Sequence, residues 1–302
     1  MREKIIETQD LTFYYGKQRG IKDVDLTVEK GEAFGFLGPN GSGKTTTQRL
    51  LLDVIRPSSG RAMIFGMDCR NQGVELRRRI GYLPGELALY KDMKAAQFFR
   101  MIEYLRDAKK GKGYWRELAG RLDLDVSRKI GNFSRGNKQK VGVISAFMNL
   151  PDLLILDEPT GGLDPLVQQT VMDMVREVKA DGRTVFFSSH ILSEVQAVCD
   201  RVGIIREGQL VATRRVDELF ASRLNRLTLI FSELPPGGTF DMEGVTVLDQ
   251  TEQSITLEVR ENLPQVLAAG VQYNILDIET HNVSLEEIFL EYYGKGNGGS
   301  HV

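Results

Sequence analysis

Three observations predict an α/β protein built in two parts. Short apolar runs alternate with longer stretches of helical spacing over roughly the first two-thirds of the 302 residues. Two of the runs, AFGFL at 33–37 and LLILDE at 153–158, are almost unbroken apolar, and after about residue 220 the pattern changes to closely spaced strand-like segments. Alternating strands and helices build a largely parallel sheet with helices against it, and a strand buried on both faces loses the apolar–polar alternation of a half-exposed one. The expected organisation is an α/β domain over 1–219 with a helical insertion at about 86–150, a small α+β domain over 224–293 and a tail over 294–302.

Taken in chain order, KIIETQDL and VDLTV read as the first strands and AFGFL as a central one, after which TTTQRLLL begins a helix. In the insertion, KDMKAAQFFRMIEYLR (91–106) sets Met93, Phe98, Met101, Ile102 and Leu105 at helical spacing, and WRELAGRLDL continues the helical character. Such a stripe of Met and aromatic residues is expected to face the core. LLILDE, TVFFSS and VGIIREGQLVA return to strand patterns. Beyond them RLTLIF, VTVLD, SITLEV and YNILDIET read as strands, and ENLPQVLAAG and SLEEIFLEYYG as helices. Ser284 and Glu287 form a capping box at the start of the last one. The tail GKGNGGSHV has nothing to bury and is expected to be flexible.

Composition narrows the function classes. At 41% hydrophobic and 26% charged residues the chain can build a sizeable core, which excludes a largely disordered protein. The net charge is −2, and the basic clusters LRRRI (76–80) and AKKGKGYWR (108–116) are short and set among helix formers. They read as solvated faces, so no nucleic-acid partner is expected. No apolar run approaches the roughly 18–20 residues needed to span a bilayer, and MREKIIETQD lacks the apolar centre of a secretory signal. Any membrane role is expected to come through a partner. Cys69 and Cys199 have no metal-ligand spacing and read as reduced thiols of a cytosolic protein.

Two stretches carry chemistry. Gly38, Gly43, Lys44 and Thr45 fit G-x-x-x-x-G-K-[ST], a loop whose backbone N–H groups converge on phosphate oxygens because its glycines keep side chains out of the way. Residues Gly38, Pro39, Asn40, Gly41, Ser42, Gly43, Lys44, Thr45 and Thr46 are therefore the expected triphosphate cradle. Lys44 is expected on the β- and γ-phosphates and the Thr45 hydroxyl on Mg²⁺, with the following helix contributing its N-terminal dipole. In LLILDEPTGGLD (153–164) the apolar run ends on Asp157 at the C-terminal end of a buried strand, where α/β sheets hold ligands. Asp157 is the expected Mg²⁺ partner, through water or directly, and Glu158 the expected general base for the attacking water.

These motifs, in this order, resemble the nucleotide-binding subunit of an ABC transporter, and the resemblance covers residues 4 to about 218. It implies a P-loop NTPase fold, ATP and Mg²⁺ as cofactors, and ATP hydrolysis. It implies that Tyr15 in YYG stacks on adenine, with Tyr14 the neighbouring candidate. NFSRGNKQK (132–140) stands where the family has LSGGQ; Ser134 and Gly136 match it, while Phe133, Arg135 and Asn137 depart. In the family this signature closes over ATP held by a second subunit, so Ser134, Arg135, Gly136 and Asn137 are expected at the partner's nucleotide. GGLDP implies that Asp164 lies at the dimer interface, and FFSSHILSEV supplies His190 as the γ-phosphate sensor.

One departure stands out within that resemblance. IGYLPGELALY puts Gly85 where the family usually has a Mg²⁺-ligating glutamine, and Glu86 beside it is the candidate substitute, water being the other. The resemblance further implies a homodimer with two competent sites and a separate polytopic membrane permease subunit, with this chain peripheral on the cytoplasmic side of the membrane. The C-terminal portion, with GFLGPNGSGKTTT and FSRGNKQK, is similar to the group that exports drugs, antibiotics or ions. The alternative is a soluble ATPase of the same type acting on ribosomes or DNA. One such domain, with no room between Gly85 and Ser134 for a coiled coil, makes it the second reading.

Overall fold

The computed structural model describes residues 3–106, 111–221 and 225–281, so the capping box at Ser284 and Glu287, the last helical pattern and the tail lie outside the described residues. The chain divides into two compact units, one ending at Val216 and the other beginning at Asp217.

The first unit opens with β1 (Lys4–Tyr15), β2 (Gln18–Val24), β3 (Thr27–Glu29), β4 (Ala33–Leu37) and α1 (Lys44–Leu51). Next come β5 (Ser59–Ile64), β6 (Met67–Asp68), α2 (Gly73–Arg79) and β7 (Ile80–Leu83). The helical insertion holds α3 (Ala95–Leu105), α4 (Trp115–Arg121) and α5 (Arg135–Phe147). After it run β8 (Leu153–Asp157), α6 (Pro165–Ala180), β9 (Thr184–Ser189), α7 (Leu192–Val198), β10 (Arg201–Arg206) and β11 (Gln209–Arg215), and α8 (Val216–Ala221) starts at the unit's last residue.

These strands form two sheets. One has the order β11-β10-β4-β9-β8-β7 and is parallel from β10 through β7. Every residue of β4, β8 and β9 is buried, which is why those segments lack alternation. Phe34, Phe36 and Phe186 pack across the β4–β9 pair with ring centroids 6.0 and 5.3 Å apart. Each such ring contributes roughly 1.5–3 kcal/mol by leaving water. The sheet turns antiparallel only at its β10–β11 edge, where VGIIREGQLVA folds back as a hairpin through Glu207 and Gly208, both at positive φ.

The second sheet is antiparallel, β2-β1-β5-β6 with β3 on β1, and the sequence pattern did not reveal it. VDLTV is not one strand. The Thr8 hydroxyl donates to Val24 O at 2.7 Å and accepts from Leu26 N–H at 2.8 Å, so a side chain supplements the backbone bonding where β2 gives way to β3.

The stripe expected on 91–106 is only partly internal. Ala95, Phe98 and Phe99 are buried and Phe99 lies 5.5 Å from Trp115, whereas Leu105 is 71% exposed. The same helix face continues past its packing partners and borders a groove of about 270 Å³, with Tyr82, Leu87, Phe98, Ile102 and Leu105 among its walls.

The second unit contains β12 (Asn225–Phe231), β13 (Val245–Gln250), β14 (Ser254–Val259), α9 (Leu263–Gln272) and β15 (Ile275–His281). Its sheet is antiparallel in the order β13-β14-β12-β15. SITLEV alternates buried and half-buried residues, and Leu227, Leu229, Phe231, Leu257 and Val266 form a core of its own.

Candidate functional site

Sheet register brings the chemistry to one edge. Leu37 pairs with Ser189 and Asp157 with Ser188, so the C-terminal ends of β4, β9 and β8 deliver Gly38, His190 and Glu158 side by side. This is the rim at which a parallel sheet holds ligands.

The loop between β4 and α1 shapes a cleft of about 280 Å³ that Tyr15, Gln18, Arg19, Asn40, Lys44, Thr45 and Glu158 help to line. Gly43 holds φ 110°, and a Cβ there would stand 2.7 Å from Ile21 Cγ2. Only glycine fits both demands. Lys44 is 95% buried, its Nζ donating to Gly38 O at 2.7 Å and Pro39 O at 3.1 Å. Burial pushes the Lys44 ammonium below its ordinary value, while the Glu158 and Asp157 carboxylates oppose the shift. Tyr15 faces the cleft, its hydroxyl 3.3 Å from Thr46 Oγ1, with Phe13 edge-on against its ring. Tyr14 is absent from the cleft wall; its backbone N–H donates to Ser58 Oγ.

The two adjacent acids have different surroundings. Asp157 is 1% exposed and accepts from Thr45 Oγ1 at 2.6 Å and Ser188 Oγ at 2.5 Å. Glu158 turns away at φ 49°, a left-handed conformation uncommon for a side-chain-bearing residue. Its Oε1 lies 3.5 Å from Lys44 Nζ and 3.1 Å from His190 Nδ1. Gln139 on α5 donates to the backbone carbonyls of Glu158 and Pro159, at 3.3 and 3.1 Å.

The Thr45 hydroxyl and Asp157 carboxylate are hard oxygen donors suited to a small divalent cation. Among the described residues no three His, Cys, Asp or Glu side chains come together to hold a metal ion, so these residues form no complete cage. The pair therefore fits an ion whose other ligands are phosphate oxygens and water.

Glu86 is exposed and makes no hydrogen bond or ion pair among the described residues; the residue that faces Asp157 is Gly85, where a Cβ would stand 2.9 Å from Asp157 Oδ2. The chain passes too close to Asp157 for a side chain at residue 85, and Glu86 stays, with water, a candidate for the role of the missing carboxamide.

The remaining expected residues form a second group, none of which lines the cleft of their own chain. Ser134 caps α5, its Oγ accepting from Asn137 N–H at 3.2 Å. Arg135 and Gly136 occupy the first turn of that helix, whose first amides have no intrahelical acceptor. Arg135 lies along Gly162, its Nε 3.3 Å from where a Cβ would stand, and Gly136 approaches Gly162 O. Asp164 caps α6, accepting from Val167 N–H at 3.1 Å ahead of Pro165.

Sequence reading missed Ser188, Gln139, Gln18 and Arg19. Ser188 had a signal, a hydroxyl ending an apolar run beside the Asp157 strand. The others are long polar side chains on unremarkable helix and strand positions, brought to the site only by tertiary packing.

Residues 21–161 match the family model described as ABC transporter. The bacitracin transport ATP-binding protein BcrA of Bacillus licheniformis is 33% identical over 98% of this chain and 99% of its own length. The ABC transporter ATP-binding protein NatA of Bacillus subtilis is 37% identical over 70% of this chain and 89% of its own. A solved ATP-binding subunit of an ABC transporter superposes with a TM-score of 0.65 at 30% identity, over 72% of this chain and 92% of its own. The chain belongs to the ATP-binding proteins of the ABC transporter family.

Proposed function

We propose that this chain is the ATP-hydrolysing subunit of an exporter, closing as a homodimer around two ATP molecules to drive a separate membrane-spanning subunit. The observation that carries the reading is the meeting of Lys44, Glu158 and His190 beside a glycine-loop cleft, with one carboxylate oxygen in reach of both nitrogens.

Each residue has a task consistent with its surroundings. Tyr15 offers a ring for the base at the cleft's open end, where stacking is worth roughly 1–3 kcal/mol. Lys44 leaves the carbonyls of Gly38 and Pro39 for the phosphate oxygens, since a buried ammonium gains more from a full anion than from two amide dipoles. Thr45 and Asp157 would hold Mg²⁺, which supplies charge neutralisation on the β- and γ-phosphates. Release of Lys44 from Glu158 leaves that carboxylate free to accept the proton of the attacking water, while His190 moves its ring N–H to the γ-phosphate. Phosphoryl transfer needs little covalent help, so positioning supplies most of the rate.

The first-turn amides of Arg135 and Gly136 and the Ser134 hydroxyl are suited to a γ-phosphate on a second copy, because they do not line the cleft of their own chain. No helix among the described residues is long and apolar enough to cross a membrane, which agrees with a separate permease and peripheral attachment. The groove between residues 82–89 and α3 offers an apolar docking surface for that permease. Likeness over nearly the whole chain, the second unit included, to a protein named for bacitracin transport supports the export reading.

Glu158→Gln tests the reading. The variant is expected to bind ATP within about two-fold of the parent and to lose turnover by about 10²–10³-fold, as removal of a general base does. Undiminished steady-state hydrolysis would falsify the role.

A further inference from the structure

Glu194 has no place in the chemistry described so far, yet its carboxylate joins two of the segments that chemistry needs. It sits in the first turn of α7, four residues after His190. Its Oε2 accepts from Ser189 Oγ at 2.6 Å, and its Oε1 accepts from Thr160 Oγ1 through a short hydrogen bond. Ser189 precedes the switch histidine; Thr160 lies two residues after the general base, at the start of the loop that ends on Asp164. Both hydroxyls are nearly inaccessible, at 1% and 3% exposure.

The neighbouring bonds extend the linkage. Ser189 Oγ accepts from Ile191 N–H at 2.9 Å, and Ser189 O accepts from Gly38 N–H at 3.3 Å. On the other arm, Gly161 N–H donates to Glu158 O at 3.1 Å and Leu163 N–H to Thr160 O at 3.1 Å. One carboxylate therefore fixes the spacing between the histidine segment, which touches the phosphate loop, and the turn that carries Glu158 toward Asp164.

We propose that Glu194 is a positioning residue for ATP hydrolysis, a staple that holds Glu158 and His190 in one frame and couples the loop ending at Asp164 to the histidine segment. Movement of that loop when a second subunit arrives then reaches His190 through Thr160, Glu194 and Ser189. The inference rests on the ATPase reading above. A misplacement of about 1 Å between such groups costs on the order of 10²-fold in rate while leaving the phosphate cradle intact.

The test uses the full chain with ATP and Mg²⁺, measuring kcat and, separately, affinity for a fluorescent ATP analogue. Glu194→Ala is expected to lower kcat by about 10- to 100-fold with analogue affinity within about two-fold. Glu194→Gln is expected to recover most of the rate. A carboxamide can accept from Thr160 and donate to Ser189, whose proton can turn to Ile191 O, 3.4 Å away. Thr160→Val and Ser189→Ala should each slow turnover and add nothing further in the Glu194→Ala background. Those two variants also decide the matter if Glu194→Ala does not fold. Parent-like kcat in Glu194→Ala, a Glu194→Gln no better than alanine, or full activity in both hydroxyl variants overturns the proposal. If Glu158→Gln hydrolyses ATP normally, the ATPase reading fails first and the staple falls with it.

Discussion

The cleft and the signature turn are built on opposite principles. In the cleft the polar groups bond to one another across long sequence separations: Thr45 and Ser188 on Asp157, Lys44 and His190 on Glu158. At the signature turn, Ser134 and Asp164 serve as local helix caps, and the first amides of α5 are left without intrahelical acceptors. One region is preorganised within a single chain, whereas the other holds donors that, in the proposed reading, are meant for a second copy. Nucleotide binding and nucleotide closure should therefore be separable by mutation.

Lys44→Ala should separate them most forcefully. It deletes the one buried cation of the cradle and leaves the Asp157 and Glu158 carboxylates facing triphosphate alone, so ATP affinity measured by calorimetry is expected to fall by about 10²-fold or more. His190→Ala should come next, with turnover down by about 10- to 100-fold and little change in binding, because the ring touches Glu158 and not the cradle. A parallel loss of affinity in that variant would move His190 into the binding set.

Ser134→Ala probes the other region. Removing an N-cap costs about 1 kcal/mol of stability in denaturant unfolding, and ATP affinity of the single chain should be unchanged while ATP-dependent self-association weakens. Reduced affinity in the monomer would erase the distinction between the regions. The smallest effect belongs to Glu86→Ala: exposed, it should leave hydrolysis within about two-fold, and a large drop in turnover would place it at the metal site.

How far the sequence could be read differs between the same two regions. The phosphate loop and the LLILDE strand are contiguous motifs whose chemistry is written in adjacent residues, and the buried parallel strands declared themselves by unbroken apolar runs. What stayed hidden depends on residues far apart in the chain. Gly85 against Asp157 and Gln139 against Glu158 are tertiary contacts with no local signature. The antiparallel sheet escaped because the SGRAMI and MD strands are short and largely polar or half-exposed. Leu105 misled because spacing shows which face a residue shares, and not where the neighbouring helix stops.

Sedimentation velocity of the Glu158→Gln chain, run with and without ATP and Mg²⁺, tests the composite site most directly. The expected result is a species of twice one chain's mass only with nucleotide present, abolished by adding Ser134→Ala or Lys44→Ala. A monomer at saturating ATP, with binding demonstrated in the same sample, would contradict a site completed by a second copy.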